Sequence, residues 1–190
     1  MHEVITIAAQ HVESLGAWSP IPISEGRFFE FGAGWDLHVA QTLYCLGVDR
    51  QTVIDIRRLL KPSLVVDVRD RLSAGPGRSF LRTPPTADPV SAYLAATGIE
   101  YRAPCDARST GLPSGSIDFV TSTDTLAHIP VDDIRQILTE CRRILSDDGA
   151  MSFQIDYRDH YSYFDQDVSA YNFLRYDKRA WKPYNSALHH

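Results

Sequence analysis

The chain has 190 residues, of which 44% are hydrophobic and 23% charged, and its formal net charge is −5. That balance supports one folded unit with a sizeable core and excludes disorder as the ordinary state. A net-negative chain lacks the basic stripe that neutralises phosphates, so no nucleic-acid partner is expected, although Arg57, Arg58 and Lys61 form a small basic cluster.

The opening "MHEVITIAAQHVESLG" has neither the basic start nor the long apolar centre of a signal peptide, and no apolar run in the chain is long enough to span a bilayer. A cytoplasmic protein without a membrane partner is expected. The first strand is predicted at residues 27–31; it runs through "FFEFGAGWD" into a Gly-x-Gly turn and a helix over 36–46. A second strand follows at 52–55, then a short helix from about Arg57 that carries Leu59, Leu60 and Leu64. The Gly- and Pro-rich "SAGPGRSFLRTPPTADP" reads as a surface loop. Beyond it come a helix at 89–96 and strands at 99–103 and 117–121. Next is a helix over 131–145, whose Ile134, Ile137, Leu138, Cys141 and Leu145 recur at helical spacing, with Gly149 as its terminator. A fifth strand is predicted at 150–155.

Strands that alternate with helices predict an α/β fold: a Rossmann-like, mostly parallel sheet with helices on both faces. The organisation expected is a single domain over 1–190, with a ligand-binding core at 27–155 and an aromatic-rich segment at 156–190. In that segment "DYRDHYSYFDQDVSAYNFLRYDKRAWKPYN" is dense in Tyr, Phe and Trp, and suits either a packed layer at the sheet edge or a cover over a pocket. Cys45, Cys105 and Cys141 are far apart with no CxxC spacing; they fit a reducing compartment and small buried side chains, and no metal cluster is evident.

The chemistry concentrates at the first turn. Gly32 allows a sharp exit from the strand, and Gly34 lets a ligand approach backbone without meeting a Cβ. The helix that follows offers free N–H groups, where a dinucleotide would set its pyrophosphate. The dinucleotide fingerprint, however, wants a third glycine where Leu37 stands. Glu30 also puts a carboxylate beside the turn, which repels phosphate and suits an ammonium group. Asp55, at the end of the second strand, can accept both hydroxyls of a ribose; its plainer alternative is a helix cap. A ribose acceptor together with a carboxylate near the glycines points to S-adenosyl-L-methionine, which has a ribose, an amino-acid tail and no phosphate. A nicotinamide-dependent oxidoreductase is the competing assignment.

From about Phe28 to Ile155 the chain resembles the class I S-adenosylmethionine-dependent methyltransferases. The resemblance rests on E-x-G-x-G at Glu30, Gly32 and Gly34, the acid Asp55, Asp106-Ala107 after the third strand, "LPSGSIDFV", "TSTDTLAHIP" and "ILTECRRILSDDGAM". It implies that Glu30, Gly32, Ala33 and Gly34 line the methionine tail, that Asp55 holds the ribose and that Ile56 packs on the adenine. Asp106 would accept from the adenine amino group, with the Ala107 backbone nearby, and Thr123 would border the sulfonium. His128 and Asp124 are the candidate catalytic residues, with Asp156, Asp159 and His160 as further bases. S-adenosyl-L-homocysteine would be the product. Asp36 replaces the family's usual third glycine and can serve as a helix cap. Asp118 is expected to be a structural carboxylate at the sheet end.

The aromatic segment also resembles the region after the fifth strand in bacterial methyltransferases of surface-polysaccharide biosynthesis, which implies a small-molecule or sugar acceptor. No NPPY-like tetrapeptide for planar amine acceptors appears. The usual C-terminal strand hairpin is not evident, which leaves an open sheet edge and makes a homodimer an expected partner arrangement. A non-catalytic protein that kept the fold is the other alternative.

Overall fold

The structure, a computed structural model, describes residues 2–75, 82–181 and 183. Five parallel strands form one sheet in the order β3-β2-β1-β4-β5: β1 Phe28–Phe31, β2 Gln51–Ile54, β3 Ile99–Arg102, β4 Ile117–Thr123 and β5 Leu145–Gln154. The helices are α1 His2–Trp18, α2 His38–Cys45, α3 Pro62–Ala74, α4 Val90–Ala96, α5 Val131–Ile144 and α6 Lys178–Trp181. Among the described residues, no helix is long and apolar enough to cross a membrane.

Alternation along the strands assigns the faces. Phe29, Phe31, Ile54 and Val120 meet Ile137, Cys141 and Ile144 of α5 on one side. Phe28 and Phe119 meet Ala8 and Leu15 of α1 and Val39 and Leu43 of α2 on the other. Val53 and Ile99 pack on that second face with Leu37 and Ala40. The sheet is therefore covered on both sides, as the apolar runs of its strands require.

Three elements differ from the sequence expectation. The N-terminal segment is a long helix, α1, with Ala8, His11 and Leu15 buried along one stripe. The helix expected from about Arg57 begins instead at Pro62, because proline presets the first helical position; residues 58–61 are irregular. Gly149 does not terminate α5. The helix ends at Ile144 and passes directly into β5, where Gly149 lies inside a bulge of the β4–β5 ladder. A Cβ there would meet the Asp118 carbonyl at 2.7 Å and the Leu145 side chain at 2.8 Å, so close packing is what requires glycine. Of the loop expected over 73–89, residues 76–81 lie outside the described residues, as do residues 182 and 184–190 of the aromatic segment.

Asp118 anchors the amino end of β4. Its carboxylate accepts from the Arg27 backbone N–H (2.8 Å), from the Arg27 guanidinium at both oxygens (2.8 Å each) and from the Ser146 hydroxyl (3.0 Å). The starts of three strands are joined through one buried carboxylate. β5 forms one edge of the sheet, and no further strand follows it among the described residues. The segment after it runs through short 3₁₀ turns at His160–Tyr163 and Asn172–Arg175.

Candidate functional site

The strand order reverses direction between β1 and β4, and at the carboxyl ends of these strands a cavity of about 450 Å³ opens. Crevices at such reversals are where open α/β sheets hold ligands, and the volume lies in the range of small-molecule sites. Its walls come from the β1–α2 turn, the β2 end, the loop after β3, the segment after β4 and the first turns of α5.

Gly32 has φ +84°, and a Cβ added there would strike the Thr125 side chain, 2.0 Å from its Oγ1. The turn and the post-β4 segment are thus in contact through a position that only glycine fills. Gly34 has φ +66° and nothing within 4 Å of where a Cβ would sit, so its backbone is bare toward space. Its N–H donates to Asp55 Oδ2 at 3.1 Å, and Asp55 Oδ1 accepts the Arg57 N–H at 2.9 Å. The Asp55 carboxylate is therefore fixed by one backbone bond on each oxygen, with the remaining acceptor positions left over. Ile56 stands exposed on the cavity wall.

Leu37 takes the left-handed conformation (φ 57°) where the dinucleotide fingerprint would have its third glycine, and its side chain is buried against Val53 and Ile99. Asp36 Oδ1 accepts from the His38 backbone N–H (3.2 Å) and hydrogen-bonds the His38 ring Nδ1 (2.7 Å), which fastens the start of α2. Burial is the largest single influence and opposes both charges, but the Asp36–His38 hydrogen bond and the charges and backbone N–H groups around the pair together outweigh it: the Asp36 carboxyl is lowered and the His38 imidazole raised.

Of the cofactor-binding and first catalytic candidates, eight line the cavity, Gly32, Gly34, Asp55, Ile56, Asp106, Ala107, Asp124 and His128, whereas the further bases Asp156, Asp159 and His160 stand outside it. The other three cofactor-binding candidates do not line it. Glu30 lies buried beneath the turn on the α2 face, where loss of solvent pushes its carboxyl up to about 7 against the opposing influence of His38. Ala33 is packed with Leu37 and Ala40. Thr123 points its hydroxyl to His11 Nε2 (3.1 Å), while His11 Nδ1 meets the Ser152 hydroxyl (2.8 Å). Burial lowers the His11 imidazole to about 4, so it is neutral at ordinary pH.

On the post-β4 wall of the cavity, Asp124 holds φ 50°, and its N–H donates to the Gln154 carbonyl at 3.0 Å. Burial, and then the charge of Asp156, raise its carboxyl. The His128 and His160 rings lie 5.2 Å apart and the His160 and Tyr163 rings 5.8 Å. Asp156 accepts the Tyr163 hydroxyl and forms an ion pair with Arg158, whose hydrogen bond is the main cause of its lowered carboxyl. Asp159 is turned to structure: it caps the following 3₁₀ turn through the Tyr161 N–H (3.0 Å) and accepts from the Asn172 amide. Among the described residues, no group of three or more His, Cys, Asp or Glu is placed to hold a metal.

Sequence reasoning did not name Thr125, Arg108, Asp133 or His11. Arg108 and Asp133 join Asp106 in one ion-pair network on the cavity wall. Only three-dimensional proximity groups them, since Asp133 is 25 residues from Arg108.

Residues 88–153 match the family model of methyltransferase domains. No curated protein matches the chain in sequence. Among solved structures it is similar to the YcgJ protein of Bacillus subtilis, with 16% identity, 87% of this chain and 56% of that chain covered, and a TM-score of 0.54. It is also similar to phosphoethanolamine N-methyltransferase 1 of Haemonchus contortus, which was solved with phosphoethanolamine and S-adenosylhomocysteine, at 14% identity, 82% and 26% coverage and a TM-score of 0.51. The chain thus spans about half the length of the first structure and a quarter of the second. At these identities the shared property is the fold.

Proposed function

We propose, for a chain that carries the class I methyltransferase fold and matches methyltransferase domains over residues 88–153, that its cavity binds S-adenosyl-L-methionine and that a small molecule or sugar accepts the methyl group. The observation that carries this is the pairing of Gly34 with Asp55: bare backbone beside a carboxylate already oriented by two N–H groups. A ribose diol suits such a carboxylate. Glu30, close under the turn, suits an amino-acid ammonium and does not suit a pyrophosphate. The Leu37 side chain occupies the third-glycine position of the dinucleotide fingerprint, which weighs against the nicotinamide alternative.

When bound, the cofactor supplies a methyl carbon already activated by its sulfonium. The chain's own residues then have to orient and shield. Gly32 and Thr125 lock the turn against the post-β4 segment, and Asp55 fixes the ribose end. Asp124 and His128, on the post-β4 wall, are the groups able to take a proton from an acceptor hydroxyl. The exposed rings of Tyr157, Tyr161 and Phe164, in the segment whose His160 packs near His128, offer faces on which a sugar would stack. Positioning alone is able to supply most of the rate enhancement for an in-line displacement.

Calorimetric titration of the chain with S-adenosylhomocysteine, and separately with NAD, tests the cofactor assignment. The expected result is micromolar binding of S-adenosylhomocysteine only, weakened at least about a hundredfold in Asp55→Ala as the ribose loses its charged acceptor. Binding of NAD alone would reverse the assignment, and binding of neither would leave a protein with the fold and without the ligand.

A further inference from the structure

We infer, resting on the cofactor assignment above, that Arg108 is a positioning residue that makes the base end of the cavity selective for a 6-aminopurine. It does so through the way it presents Asp106.

The geometry is a three-residue bridge. Asp106 Oδ1 accepts the Arg108 backbone N–H at 2.9 Å. The Arg108 Nε–H is shared between the two carboxylate oxygens at 3.1 and 3.0 Å, and Nη2 donates to Oδ2 at 2.7 Å. The remaining arm, Nη1, donates to Asp133 Oδ1 at 2.8 Å, in the first turn of α5. All three residues line the cavity. One guanidinium therefore ties the loop after β3 to α5 and holds the Asp106 carboxylate in a single plane.

A carboxylate has about four acceptor positions. The backbone N–H, the shared Nε–H and Nη2–H occupy three, which leaves one for a ligand. A fixed carboxylate with one open acceptor position takes one N–H, such as that of an exocyclic amino group. A ring carbonyl in the same place brings two acceptors together, and the ionised Asp106 carboxylate has no donor to offer it. Sites built this way reject the analogue that lacks the donor, since the acceptor that the bound base covers is left unpaired. Arg108 also holds the Asp106 carboxyl below the ordinary range, so the acceptor stays ionised. Without the guanidinium, Asp106 is a partly exposed side chain held only at Oδ1 by the Arg108 backbone N–H, which leaves its plane free to turn.

The test compares S-adenosylhomocysteine with S-inosylhomocysteine, which carries a carbonyl in place of the amino group, on the full chain by calorimetry. Wild type is expected to prefer the adenosyl ligand by about a hundredfold or more. In Arg108→Ala the ratio should contract to below about tenfold, and Arg108→Lys should not restore it, because an ammonium does not fork across two oxygens. Asp133→Asn should contract the ratio in the same direction by less. The ratio is internal to each variant, so a purely structural role, which weakens both ligands alike, leaves it unchanged; that outcome overturns the inference while the cofactor assignment stands. If wild type binds neither ligand, both fall.

Discussion

A single methyl group should separate Gly32 from Gly34. An alanine at Gly32 combines a positive φ with a Cβ 2.0 Å from Thr125 Oγ1. The two costs, backbone strain and overpacking, sum to roughly 2–5 kcal/mol, to be read from urea unfolding. At Gly34 the backbone cost is only about 1–2 kcal/mol, with no clash inside the protein. Gly34→Ala should therefore keep most of its stability and lose S-adenosylhomocysteine affinity, because the methyl projects where the ligand must come. Equal affinity in wild type and Gly34→Ala would mean that the ligand does not approach this backbone. Both glycines and Asp55 were legible in sequence, since a strand that ends in Gly-x-Gly permits few conformations. The state of Glu30 was not, because it depends on burial that only the packed fold provides. Its carboxyl, raised to about 7 by loss of solvent, is mostly protonated at pH 6. An ammonium tail arriving beside it favours the charged form. Binding at pH 6 should then release close to one proton, measurable by calorimetry in two buffers of different ionisation enthalpy; zero release would place the tail elsewhere.

At the scale of elements, Asp118 shows how a sheet end is held without any part in the site. It is buried at the amino end of β4, the end remote from the cavity, and four hydrogen bonds converge on it from Arg27 and Ser146. Asp118→Ala should cost roughly 2–3 kcal/mol, less than a fully buried pair because the Arg27 head is half exposed. Ligand affinity should not change. A loss of affinity without a loss of stability would contradict the assignment of Asp118 to structure. The parallel sheet and α5 were legible because their apolar residues repeat at clear periods. α1 was harder to see. Its buried stripe includes the polar His11, whose partners Thr123 and Ser152 come from the far end of the chain, so its own sequence gives no sign of what that face meets. Gly149 misled for a related reason: glycine marks both helix ends and close contacts, and the contact here is with β4.

Across the whole molecule, His11 and Glu30 set two opposing pH dependences in the same core. His11 has its folded value lowered from 6.5 to about 4 by burial. Its neutral form is favoured by folding, so the stability it contributes is complete above pH 6.5 and is lost as pH falls toward 4. Glu30 is raised from 4.5 to about 7, again by burial. Its protonated form is favoured by folding, so its contribution is complete below pH 4.5 and is lost as pH rises through 7. Between pH 5 and 6, the unfolded chain binds a proton at His11 that the folded chain refuses, and the folded chain keeps a proton at Glu30 that the unfolded chain releases. The two slopes have equal size and opposite sign, about 1.4 kcal/mol per pH unit each. Asp118 and Glu140, held near 2 chiefly by hydrogen bonds from Arg27 and Arg143 respectively, titrate below this window. His38, raised chiefly by Asp36 against its burial, acts above it. Relative to wild type, Glu30→Gln should therefore gain stability by about 1.4 kcal/mol on going from pH 5 to pH 6, and His11→Gln should lose the same amount. Urea midpoints at the two pH values measure this directly, and the difference from wild type cancels the titrating groups not coupled to the substituted one. A flat difference from wild type in either variant would show that its side chain reaches water in the folded state. Opposite tilts would establish that the core carries a charge-refusing histidine and a proton-keeping glutamate, the latter beneath the turn where the cofactor's ammonium is expected.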